Sequence, residues 1–167
     1  EARKAGDTDF GETCQQYLVL DESRYVDPVE GLKFILSPPL RAKEHQEAIW
    51  QGIKDGTLQV IATDHCSFDF HGDKQNGKDD FTKCPNGAPG VETRMPIVFS
   101  EGVSKGRLSL NEFAAVTSTN PAKIFGMYPK KGVLAPGSDA DIVLMNPDME
   151  VTITKNILHE NVDYTPY

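Results

Sequence analysis

Leu58-Gln59-Val60-Ile61-Ala62-Thr63-Asp64-His65-Cys66 is the stretch on which the fold turns. Its first six residues, following Gly56, have an apolar, β-branched centre and read as a buried strand. Strand side chains alternate between faces, so Leu58, Val60, Ala62 and Asp64 are expected to share one side. Asp64 then stands at the C-terminal end of the strand, beside a long polar segment. In an α/β barrel that end is the mouth where catalytic groups gather. A carboxylate there can coordinate a metal and exchange a proton with metal-bound water. Asp also caps or braces turns after strands, which is the structural alternative. His65 has the opposite parity and is expected to face away, as a packing or supporting histidine.

Upstream, residues 44–54 follow a helical period with Ile49, Trp50 and Ile53 on one side and Gly56 as a stop. Apolar runs at 17–20 and 33–36 read as further strands, the second halted by Ser37-Pro38-Pro39 because proline cannot donate to a ladder. Strands alternating with helices predict βα units and a parallel sheet. Downstream, residues 65–90 are polar, Gly-rich and without period, and loops of that length are functional or disordered. Helix resumes near Arg94. Ser109-Leu110-Asn111-Glu112 is a capping box, Asn120-Pro121 reads as an N-cap followed by proline, and Gly126 can close that helix. Past Lys131 the character changes: Gly132, Pro136 and Gly137 mark turns, and 141–145 and 151–154 look like short strands. So few strands cannot close a core, so partner strands must come from elsewhere.

The balance of charge, −8 over 167 residues, argues against nucleic acid or an anionic membrane as partner, because phosphate binding needs a basic surface. No apolar run approaches the ~20 residues that span a bilayer. The chain opens on Glu1-Ala2-Arg3-Lys4 with neither Met nor a hydrophobic stretch behind it, which suits a fragment or processed chain without a signal peptide. Cys14, Cys66 and Cys84 are odd in number and lack C-x-x-C spacing, which favours a reducing cytoplasm over a disulfide scaffold.

His45 falls on a helix, whereas His71 and His159 lie in polar segments and read as solvated. There is no H-x-H or H-E-x-x-H, so this stretch cannot assemble a three- or four-ligand metal site by itself. Cys84-Pro85-Asn86-Gly87-Ala88-Pro89-Gly90 fails the P-loop pattern for want of Lys-Ser/Thr. Its prolines and glycines fit a fixed loop presenting main-chain N–H and C=O groups to a ligand, or a plain turn. No base is identifiable beside Cys66 or Cys84, which read as buried, inert thiols.

Several longer words occur in order: Gly11-Glu12-Thr13-Cys14-Gln15-Gln16-Tyr17-Leu18, Leu36-Ser37-Pro38-Pro39-Leu40-Arg41, Ala62-Thr63-Asp64-His65-Cys66, Pro85-Asn86-Gly87-Ala88-Pro89-Gly90-Val91-Glu92 and Thr117-Ser118-Thr119-Asn120-Pro121-Ala122. In that order they resemble the dihydropyrimidinases and D-hydantoinases. Gly137-Ser138-Asp139-Ala140-Asp141-Ile142-Val143 is similar to the wider amidohydrolase superfamily's return to its small β domain. The resemblance implies an α/β architecture: the C-terminal portion of a (β/α)8 TIM-like barrel over 1–130, plus part of a small β-sandwich domain over 131–167. It implies ring opening of dihydropyrimidines or hydantoins at two zinc ions bridged by a carboxylated lysine, absent from this chain, and a hydroxide. Asp64 matches the aspartate that is both metal ligand and catalytic proton shuttle. Ser37 and Asn86 match positions whose main-chain groups hold the small cyclic ureide. A cytoplasmic homo-oligomer, a tetramer, is implied as well.

Within that superfamily, collapsin-response-mediator-type proteins offer a non-catalytic alternative, disfavoured by Asp64 and the Asn-Gly-Ala-Pro-Gly loop. Allantoinases and dihydroorotases keep the aspartate but differ in the surrounding words. Gln15 and Ser67 stand where proline is common, and Phe10 where tyrosine is usual. The first-strand histidine pair, the carboxylated lysine and two later histidines have no counterparts here, so the chain by itself is expected to be inactive.

Overall fold

The computed structural model describes residues 2–167. Ala2–Ala5 forms one 3-10 turn. The sheet consists of β1 (Glu12–Cys14) and β2 (Val60–Ala62), paired in parallel with Glu12 opposite Val60, Thr13 opposite Ile61 and Cys14 opposite Ala62. Parallel neighbours require a crossover. Here it carries α1 (Gln15–Val19), 3-10 turns at Glu22–Tyr25 and Glu30–Phe34, and α2 (His45–Lys54). After β2 comes the long loop, with 3-10 turns at Lys74–Gly77 and Phe81–Lys83. Then α3 (Arg94–Val98) runs on as a π-helical stretch, Phe99–Ser104. α4 (Leu110–Ala114) passes through a second one, Ala115–Thr119, into α5 (Asn120–Ile124).

The main core lies between the sheet and these helices: Leu18, Trp50, Ile53, Ile61, Val98, Leu108, Phe113 and Val116 pack together. Burying such side chains stabilises by roughly 1.5–3 kcal/mol each. The period read over 44–54 holds, with Trp50 and Ile53 buried and Ile49 packed against them. Arg94 ties β2 to the helical layer, its Nη1 donating to Ile61 O at 2.8 Å and Thr117 O at 3.4 Å. The capping box forms as read: Glu112 N donates to Ser109 Oγ at 3.2 Å and Ser109 N to Glu112 Oε2 at 2.7 Å. Gly126 takes the left-handed conformation that ends α5, at φ 70°.

Four expectations of local structure are corrected. The run at 17–20 is helical through Val19, because it sits between two clusters: Leu18 faces the main core, Tyr17 and Leu20 join Phe34, Leu36, Leu40 and Ala88, and Val19 packs against both. Four consecutive apolar residues carry no period that separates these outcomes. The run at 33–36 forms no strand: Lys33 and Phe34 lie in the 3-10 turn Glu30–Phe34, since the Asp27 carboxylate accepts from Val29 N at 2.8 Å and Glu30 N at 2.9 Å and so starts a turn. Asn120 is not an N-cap but the first residue of α5, because helix already arrives through Ala115–Thr119; its Nδ2 donates to Gln59 O at 2.9 Å. Residues 141–145 and 151–154 are in no strand among the described residues. An extended segment without a ladder partner remains only extended.

The chain ends by returning to the long loop. The Asp163 carboxylate accepts from Phe70 N at 2.6 Å and His71 N at 2.9 Å. Glu160 Oε1 accepts from Glu92 N at 3.1 Å, and Glu92 in turn accepts from His159 N at 2.7 Å, with His159 Nδ1 at 2.8 Å. Tyr164 packs with Leu32, Phe70 and Cys84. Bonds from His159, side chain and main chain, hold the Glu92 carboxyl below its usual range. Burial pushes the Asp163 carboxyl up, but bonds from His71 and Phe70 outweigh it and leave it lowered.

A depressed carboxyl contributes stability above its unfolded pKa and loses it as pH falls through the folded one. Acidification below the ordinary carboxylate range is therefore expected to release residues 159–167 before the main core. Amide exchange should show His159, Phe70 and His71 opening while Ile61 stays protected; simultaneous opening would contradict this. A second expectation comes from Leu144, 93% exposed, Leu134, 78%, and Phe125, 73%. So much apolar surface favours association. Residues 1–167 alone should self-associate and unfold broadly in urea, and a steep two-state transition of a monomer would count against it.

Candidate functional site

β2 ends at Ala62, so its alternation cannot be carried on to Asp64. Asp64 instead adopts φ 49°, the left-handed region, as no other non-glycine among the described residues does. Asp tolerates this conformation better than most residues, and such positions cluster at functional sites. The turn is braced by Thr63, whose Oγ1 accepts from His65 N at 3.2 Å. The Asp64 side chain is exposed and accepts no hydrogen bond among the described residues, so capping does not explain it. What aims Asp64 is this single backbone turn and not strand parity.

His65 is held against the far end of the loop. It bridges to Ala88, Cys66 N donates to Ala88 O at 3.1 Å, and its Nδ1 accepts from Gly90 N at 3.1 Å and Val91 N at 3.2 Å. An Nδ1 that accepts leaves the ring proton on Nε2. Gly87, at φ 135°, must be glycine: a Cβ there would lie 2.5 Å from the Cys66 Cβ.

Ser37 and Asn86, forty-nine residues apart, meet directly, with Asn86 Nδ2 donating to Ser37 Oγ at 2.7 Å. The main-chain N–H and C=O groups of both residues make no hydrogen bond among the described residues. The pair lines a cavity of about 700 Å³ together with Tyr25, Leu36, Asp80 and Phe81. Beside it, Tyr17 OH donates to Pro38 O at 2.8 Å. Burial raises the Tyr17 phenol above its ordinary range, assisted by Cys14, Asp64 and Tyr25. Burial first, and then the Glu12 and Asp64 charges, push the Cys14 thiol up to about 12. Burial raises Cys84 too. Cys14 and Cys84 are therefore inert thiols, as read for Cys84.

Gln15, at a position where proline is common, is fully buried. Its Nε2 donates to Gly90 O at 2.6 Å and Thr93 Oγ1 at 3.2 Å, while its Oε1 has no partner among the described residues. Lys74 is fully buried as well, with Nζ on the carbonyls of Ile35, Pro85 and Gly87. Sequence reading missed both, since polar residues in polar words carry no sign of burial.

Among the described residues no group of three or more His, Cys, Asp and Glu side chains could hold a metal ion. His65 has its Nδ1 engaged, and His159 rests on Glu92. Asp64 fits one ligand position: an exposed carboxylate, unengaged and at the C-terminal end of a strand. No helix among the described residues is long and apolar enough to cross a membrane.

The sequence profile of the amidohydrolase family matches residues 19–165. The chain is 52% identical over 168 residues to the D-hydantoinase of Geobacillus stearothermophilus, covering 100% of this chain and 36% of that protein. To the D-phenylhydantoinase of Escherichia coli O1:K1 it is 53% identical over 156 residues, 93% of this chain and 34% of the relative. The crystal structure of dihydropyrimidinase from Brevibacillus agri matches with a TM-score of 0.96 and 54% identity, over 99% of this chain and 36% of that one. The L-hydantoinase (dihydropyrimidinase) of Arthrobacter aurescens matches at 0.73 and 35%, over 83% and 30%. The chain thus spans about a third of the length of the relatives it matches. It belongs to the amidohydrolase family, and within that family its similarity runs to hydantoinases and dihydropyrimidinases.

Proposed function

We propose that this chain is the C-terminal portion of a metal-dependent cyclic amidohydrolase that opens dihydropyrimidine or hydantoin rings. On this reading residues 1–130 belong to a (β/α)8 barrel and 131–167 to a small β-sandwich domain. The observation that carries it is Asp64: a carboxylate free of hydrogen bonds among the described residues, turned out by a left-handed backbone at the end of a parallel strand. The relatives named hydantoinase and dihydropyrimidinase supply the substrate class. Two zinc ions, with Asp64 as the ligand from this chain and the others from outside it, would supply Lewis acidity and lower the pKa of water.

Ring opening adds water across the C–N bond: oxygen goes to the carbonyl carbon and a proton to the leaving nitrogen. On this reading Asp64 accepts the water's proton and returns it to that nitrogen, besides serving as a metal ligand. Ser37 and Asn86 orient the ring. A cyclic ureide alternates N–H and C=O groups, which is the pattern that unpaired main-chain groups at both residues can read. The reading extends to a cytoplasmic homotetramer, in keeping with free Cys14, Cys66 and Cys84.

In the full-length protein, Asp64→Asn is expected to lower kcat/KM for dihydrouracil or hydantoin by ~10²–10⁴, the usual loss without general acid–base help. Zinc content and thermal stability measured alongside separate the ligand role from the shuttle role. Near-wild-type turnover would refute the assignment. Residues 1–167 alone should show no turnover and substoichiometric zinc, and substantial activity would mean that ligands beyond Asp64 are present.

A further inference from the structure

We infer that Lys74 is a positioning residue that sets the Ser37–Asn86 pair for the substrate, an inference that rests on the ring-orienting role proposed for that pair. Lys74 is 0% exposed, in the middle of a polar loop. Its ammonium has three N–H bonds and three acceptors: Ile35 O at 3.0 Å, Pro85 O at 2.7 Å and Gly87 O at 2.6 Å. Pro85 and Gly87 flank Asn86, and Ile35 lies two residues before Ser37. Gly87 N donates to the same Ile35 carbonyl at 2.9 Å, so the two segments are stitched from both sides. Asn86 is the central residue of this clamp, its own N–H and C=O left for another partner.

Among the described residues no carboxylate lies within ion-pair distance of Lys74. The Phe68 ring, 5.9 Å away, gives weak support to the cation. A buried ammonium without a counter-ion is costly, so its place depends on those three carbonyls. Carbonyls of two separate segments converge on one point only while the segments keep their register. The turn that carries Lys74 is packed without slack, since a Cβ on Gly77 would collide with Cys84. An apolar side chain could fill the same volume; it could not hold three carbonyl oxygens in fixed directions.

The test uses the full-length protein, with Lys74→Met keeping the length and removing the donors. Val116→Ala, in the main core away from the loop, serves as a control for lost stability. KM for hydantoin or dihydrouracil should rise about tenfold or more in Lys74→Met with kcat within about threefold, the mark of lost substrate positioning. The control should leave KM unchanged at a comparable fall in Tm. An unchanged KM in Lys74→Met, or the same rise in both variants, overturns the proposal. Should Lys74→Met fail to fold, amide exchange of the wild type decides: Gly87 N–H is expected to be protected like Ile61, and fast exchange there overturns the clamp. If the wild type opens no cyclic ureide, the functional reading fails, while the exchange result still tests the clamp by itself.

Discussion

Parallel pairing of two three-residue strands is the constraint on which the remainder of this structure depends. Because Glu12–Cys14 and Val60–Ala62 run the same way, their C-terminal ends lie together. The chain must leave both strands from one side and come back by a crossover. Everything chemically distinctive gathers at that side: Gln15 and Tyr17 after β1, Asp64 and His65 after β2. Asp64 falls at the point where the ladder has ended and the chain must turn, and its left-handed φ makes that turn.

The long loop after β2 partly buries its backbone, so its N–H and C=O groups must find partners without a ladder. Beside local turns and main-chain bonds such as Gly87 N to Ile35 O, many of the partners are side chains. Lys74 collects three carbonyls, Gln15 takes Gly90 O, His65 receives two N–H groups, and Asp163 and Glu160 receive three more from the far end of the chain. Apart from the bonds of Lys74 to Pro85 and Gly87 within the loop, these join segments distant in sequence, so the loop is ordered largely by tertiary contacts. Gln15 Oε1, Gln16 Oε1 and Glu160 Oε2 stay buried without partners among the described residues.

The site's chemistry and its support therefore differ in kind. Asp64 and the main-chain groups of Ser37 and Asn86 are unengaged among the described residues, whereas the groups around them are committed to one another. A loop that has spent its hydrogen bonds on its own frame can leave a few groups open without losing shape. That division lets irregular backbone hold a few donors and acceptors in fixed places.

The sequence by itself determined whatever depends on near neighbours. The helical period of α2, the Ser109–Glu112 capping box, the irregular loop after β2 and the placing of Asp64 at a strand's C-terminal end were all legible, since spacing and local hydrogen bonding settle them. That the Ser37 and Asn86 side chains touch was not legible. Tertiary structure decided where local signals tied or were silent. It made 17–19 helical between two clusters, and gave Asn120 to the Gln59 carbonyl instead of a cap. It broke strand parity before Asp64. It buried Lys74 and brought residues 159–167 onto the loop. The reason is physical: these outcomes rest on contacts between residues tens of positions apart, and a lysine or glutamine in a polar stretch looks the same whether water or three carbonyls will surround it.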